Sequence, residues 1–154
     1  MGALAFVRPH DWDFPLFLHV LGAMVLVGAL VLALGYLVGA WRGGSAESLR
    51  LGFRVLLYGA FPAYIVMRVG AQWVEVKENL DDLAEDPTWL GIGYITADLG
   101  GLLLIIALIL GGIGLRRARK GGGGAGLLKA TGVIATLLVA VYIVAVWAMG
   151  GKPT

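Results

Sequence analysis

Arg68, Asp98 and His19 stand inside long apolar stretches of a 154-residue chain. Ionisable groups in hydrocarbon are costly, so they face a partner, a cavity or a site. An arginine and an aspartate can pair. An arginine can also grip an anionic or carbonyl group, while a histidine or aspartate can relay a proton. Tyr64 and Gln72 stand four residues to either side of Arg68, and Tyr94 stands four before Asp98. That is the spacing of neighbours on one helix face.

Depth can be read at about 1.5 Å per residue. His19 lies roughly 9 Å in from Asp13, Arg68 roughly 9 Å in from the Trp73–Glu75 boundary, Asp98 roughly 13 Å in from Trp89, and Tyr142 roughly 10 Å from the end of its stretch. Antiparallel helices bring all four to the same half of a bilayer. An Arg68–Asp98 ion pair is therefore expected, with His19, Tyr64, Gln72, Tyr94 and Tyr142 around it as a polar layer. Such a pair can serve as a register lock for a bundle. The same layer can serve as a pocket open to the outer face, suited to a quinone headgroup or a small organic anion.

Other chemistry is thinly provided. The chain has no cysteine, which excludes disulfides, thiolate zinc sites, Fe–S clusters, c-type haem attachment and thiol–quinone exchange. His10, beside Asp11 and near Asp13, is one histidine with two acids, a set more typical of a solvated tail than of a metal site. No metal site is expected. Haem between helices needs two axial ligands, and His19 is the only histidine within the apolar stretches. Met24, Met67 and Met149 could complete a pair formally but are ordinary packing residues.

The elements that must hold these residues are membrane helices. Hydrophobic residues make up 59% of the chain, charged residues 14%, and mean hydropathy is +0.87. One soluble core could not bury that much apolar surface. Spans are predicted at about 14–41, 51–74, 90–115 and 127–149, each long enough for a hydrocarbon core of about 30 Å. Helix is the only reading, since no barrel-like alternation is present. The fold class is an all-α membrane protein, an antiparallel four-helix transmembrane bundle in one domain. Pro62 is predicted to kink the second span and free a carbonyl near Tyr58. Gly35–Gly39 and the Gly93, Ala97, Gly101 series offer close helix packing, and tryptophans mark the span ends.

Loop charges set the expected orientation. Arg42, Arg50 and Arg54 flank the first loop, a turn from Arg42 to Arg50. Arg116, Arg117, Arg119 and Lys120 fill the basic loop at 116–126, which ends in a flexible glycine run. The loop at 75–89 holds Glu75, Glu78, Asp81, Asp82, Glu85 and Asp86 against Lys77. By the positive-inside rule the basic loops are cytoplasmic, and the acidic loop and both termini are extracytoplasmic in a multi-pass cell-membrane protein. No secretory signal is expected, because no basic region precedes the first apolar run.

The segment Leu18-His19-Val20-Leu21-Gly22-Ala23 resembles the opening helix of small bacterial integral membrane proteins distantly similar to the copper-resistance-D-like membrane domain. Residues 63–73 (AYIVMRVGAQW), then Gly91-Ile92-Gly93-Tyr94-Ile95 and Asp98, resemble uncharacterised actinobacterial-type four-helix membrane proteins. The resemblance covers most of the chain, implies the architecture and supplies no activity.

The leading functional expectation is a non-enzymatic accessory or oligomer-forming subunit locked by Arg68–Asp98. Two alternatives stand beside it: a small transporter or proton-coupled carrier, and a redox protein binding quinone or haem. No catalytic residue is singled out and no cofactor is specified. The bilayer is the expected partner, with a second copy or a membrane complex beside it; nucleic acid is not.

Overall fold

The computed structural model describes residues 13–43, 45–78 and 88–151. His10 and the acids at 81–86 lie outside them. The order is α1 (Asp13–Trp41), α2 (Ala46–Val55), a π-helical turn (Leu56–Ala60), α3 (Phe61–Glu78), α4 (Thr88–Arg119) and α5 (Ala125–Gly151). α2, the π-turn and α3 make one continuous rod. Among the described residues, four helices are long and apolar enough to cross a membrane. The chain is an all-α four-helix bundle and a multi-pass membrane protein.

The helices outrun the apolar segments that reveal them. The second starts at Ala46 rather than 51, because Ser45 caps it by accepting from the Ser48 N–H at 3.3 Å. The turn expected from Arg42 to Arg50 therefore shrinks to a few residues. The loops expected at 75–89 and 116–126 also shorten, since α3 reaches Glu78, α4 runs from Thr88 to Arg119 and α5 starts at Ala125. Hydropathy falls where a helix leaves the hydrocarbon, whereas backbone hydrogen bonding continues through charged residues.

The glycine run opens with a defined turn. Gly121 has φ 72° and Gly123 has φ 65°. The Gly122 N–H donates to the Arg117 carbonyl at 3.0 Å and the Gly121 N–H to that of Ala118 at 3.3 Å. This 6→1 and 5→2 pair is a Schellman closure, which needs a left-handed residue where glycine stands.

Pro62 explains the π-turn. Its ring would strike the Tyr58 carbonyl in a regular α-helix, and it has no N–H to donate there. The chain answers by widening the preceding turn, so that the Phe61 N–H donates to Leu56 rather than Leu57. Such insertions accommodate a proline without breaking the rod.

Around the bundle, the rod of α2 and α3 packs on α1, α1 packs on α5, and α5 packs on α4, whereas α3 and α4 barely touch. Leu26, Leu30, Leu37, Leu56, Leu104 and Leu138 are fully buried and fill the middle and one half. That half ends in Trp41, Arg42, Arg116 and Arg119 and is the basic end. The opposite, acidic end carries Asp13, Glu75 and Thr88. There the unclosed side between α3 and α4 leaves space.

Candidate functional site

The α1–α3 contact sets the site's first wall. Gly22 and Gly70 form reciprocal notches: a Cβ on Gly22 would stand 2.5 Å from the Met67 backbone nitrogen, and one on Gly70 would stand 2.5 Å from that of His19. Backbone therefore lies against backbone, as small residues allow in membranes. The approach brings His19 Nδ1 to 3.1 Å from the Met67 carbonyl oxygen. A carbonyl only accepts, so Nδ1 carries the proton. In the neutral ring Nε2 is left as an acceptor.

The second wall centres on Gly100 and Gly101 of α4, both buried. Tyr64 from α3 reaches across to Gly101 and donates its hydroxyl to the Ala97 carbonyl at 3.0 Å. Tyr142 from α5 presses its ring and hydroxyl against Gly100. The Tyr142 hydroxyl is buried and has no hydrogen-bond partner among the described residues. Both tyrosines need the missing Cβ atoms to fit.

Between the walls, toward the acidic end, lies a cavity of about 630 Å³ bounded by all four membrane helices. The lining is mostly apolar, with Val20, Ala23 and Met24 from α1 and Met149 from α5. Its polar groups are few: His19, Arg68, Glu75, Tyr94, Thr96 and Tyr142, with Trp89 toward the acidic end. Glu75 makes no ion pair or hydrogen bond among the described residues.

Of the predicted polar layer, His19, Arg68, Tyr94 and Tyr142 line this space, whereas Tyr64, Gln72 and Asp98 do not. Arg68 Nη2 donates to Asp98 Oδ1 at 2.7 Å, so the pair forms. It is not enclosed, however. Its side chains are 27% and 67% exposed for arginine and aspartate respectively. The correction has a geometric cause: α3 and α4 stand apart, and the pair crosses the gap at the bundle's edge. Gln72 is exposed on the same edge.

Sequence reasoning missed Thr96, Trp89 and the methionine lining. A methionine in an apolar run carries no signal that separates a cavity wall from a core. Among the described residues no group of three or more histidines and acids could hold a metal ion. Met24, Met67 and Met149 all line the cavity with His19, and Met67 is also part of the buried core. The chain matches no family model, no curated protein and no solved structure.

Proposed function

We propose that the chain is a membrane-embedded binding protein for a small amphipathic molecule, held in the cavity between its four helices. The carrying observation is the cavity itself. Its volume of about 630 Å³ falls within the roughly 300–1,000 Å³ of small-molecule sites, which are mostly apolar with a few placed polar groups. His19 Nε2 offers an acceptor, the remaining Arg68 N–H groups and the Thr96 hydroxyl offer donors, and the aromatic and methionine walls suit a flat or branched apolar body. A molecule with a carbonyl or hydroxyl head fits these groups. The binding step of a carrier or of a quinone protein needs such a space. The Arg68–Asp98 pair joins two helices that otherwise meet mainly through Tyr64 on Ala97 and Gly101, and it clasps the wall beside it. By the charge of its loops, the acidic end faces away from the cytoplasm.

The test is chemical. Organic extracts of wild-type protein, purified in mild detergent, are compared with those of Ala23→Phe, which puts a ring into the cavity from its α1 wall, and Ile143→Phe, which alters only an exposed position on α5. A small molecule recovered in near-stoichiometric amount from wild type and Ile143→Phe, and missing from Ala23→Phe, is the expected result. Extracts that do not differ between Ala23→Phe and wild type would reject the proposal.

A further inference from the structure

The edge where α3 and α4 part is a polar strip on a face that the apolar lengths of both helices place in lipid. Asp98 is 67% exposed in its side chain. Gln72, one turn from Arg68 on α3, is exposed and makes no hydrogen bond among the described residues. The ion pair is a single contact, Arg68 Nη2 to Asp98 Oδ1. A guanidinium has five N–H donors and a carboxylate about four acceptor positions, so both partners keep unused capacity. Around them the surface is apolar, with Ile65 46%, Ile95 66% and Leu102 55% exposed. Hydrocarbon against this strip would leave the Asp98 carboxylate partly unsolvated, a costly arrangement that lipid cannot relieve.

We infer that this edge is the interface with a second copy of the chain, related by a two-fold axis along the membrane normal. The strip is complementary to itself. It presents donors, the Gln72 amide N–H and the spare Arg68 N–H groups, beside acceptors, the free Asp98 oxygen and the Gln72 carbonyl. In a two-fold pair, α3 of one copy lies against α4 of the other at the same depth, since both run the same course through the bilayer. Gln72 of each copy then reaches the open side of the opposite ion pair, and the flanking isoleucines and leucine close over the polar centre. An apolar rim around a satisfied polar core is the form that polar residues take when they join helices in membranes. A partner of a single sign of charge has no such match, because the strip carries one cation, one anion and one neutral amide. The pairing concerns the outer edge of the α3–α4 gap, and it stands whether or not the cavity behind it holds a ligand.

The chain has no cysteine, so single-cysteine variants need no background changes. Gln72→Cys, Ile95→Cys and, as the distant control, Ile143→Cys on α5 are reconstituted in phosphatidylcholine vesicles. A short membrane-permeant bismaleimide is then added. All three positions are exposed; Gln72→Cys removes one of the proposed contacts, so Ile95→Cys, which keeps Gln72 and the ion pair, is the deciding position. The expected result is a product of twice the chain mass at positions 72 and 95, at least about tenfold more abundant than at 143. Its yield should be unchanged on tenfold dilution with lipid. Equal yields at all three positions, no product at 72 and 95, or yields that fall in proportion to dilution would overturn the interface. The same reagent on native membranes gives the remaining arm. An adduct at position 72 with a different mass, in place of the doubled chain, would overturn the second copy in favour of another membrane protein.

Discussion

Tyr64 and Tyr142 send hydroxyls toward the same glycine pair in α4 and meet opposite fates. Tyr64 finds the Ala97 carbonyl; Tyr142 finds no acceptor while buried. A buried hydroxyl without a partner costs about 1–3 kcal/mol, whereas a made hydrogen bond contributes about 1 kcal/mol. Tyr64→Phe should therefore lower stability by about 1 kcal/mol, and Tyr142→Phe should leave it unchanged or raise it by about 1 kcal/mol. Thermal unfolding in detergent measures both, and shifts of the same sign in the two variants would refute this account of the hydroxyls. The ion pair is read by a double-mutant cycle. Its place on an edge that faces lipid rather than water calls for a coupling of about 1–2 kcal/mol between Arg68→Met and Asp98→Leu. A coupling near zero would mean that the pair does not clasp α3 to α4.

At the scale of elements, the close approach of α1 and α3 is the contact on which the site depends. A side chain at Gly22 or Gly70 must push backbone away, not a flexible tip. Gly22→Val should cost about 3 kcal/mol through overpacking and break the His19–Met67 hydrogen bond. Gly28 and Gly35 have open space where a Cβ would go, so Gly28→Ala should be neutral or stabilise the helix by about 0.5–1 kcal/mol. Chemical denaturation of the two variants separates a notch from a mere glycine. The sequence alone could not make that separation, because glycines in both settings share the same spacing. Nor could spacing resolve one face into two. Gln72 and Glu75 both stand near Arg68 on a helical wheel, about 40° to one side and about 20° to the other. The packing of α3 turns Glu75 with Arg68 into the cavity and leaves Gln72 on the edge.

For the whole molecule, hydropathy was enough to locate the four spans, since twenty-odd apolar residues have few other fates. Which helices close the ring was not legible. The order α3, α1, α5, α4 depends on side-chain fit along whole faces, and the parting of α3 from α4 creates both the cavity and the polar edge. Orientation rests on charge alone and is open to direct measurement. Ser45→Cys at the basic end should resist a membrane-impermeant maleimide in intact cells, and Thr88→Cys at the acidic end should react; the reverse pattern would invert the assignment. The π-turn adds a constraint on the chain as a whole. Buried positions along the second rod run Gly52, Leu56, Ala60, Ala63, Met67 and Gly70. They are four apart through the wide turn, then alternate three and four. The wide turn is thus an angular index between two halves of one rod, the first seated on the basic half of α1 and the second on the half that carries the cavity. Removing one residue there would leave a straight, equally greasy helix that still spans the bilayer. Its far half would be rolled by about 100°, carrying Arg68 off its clasp and the Met67 carbonyl away from His19. A gap or insertion at this point in any related chain should therefore come with a changed site, even where every span is kept.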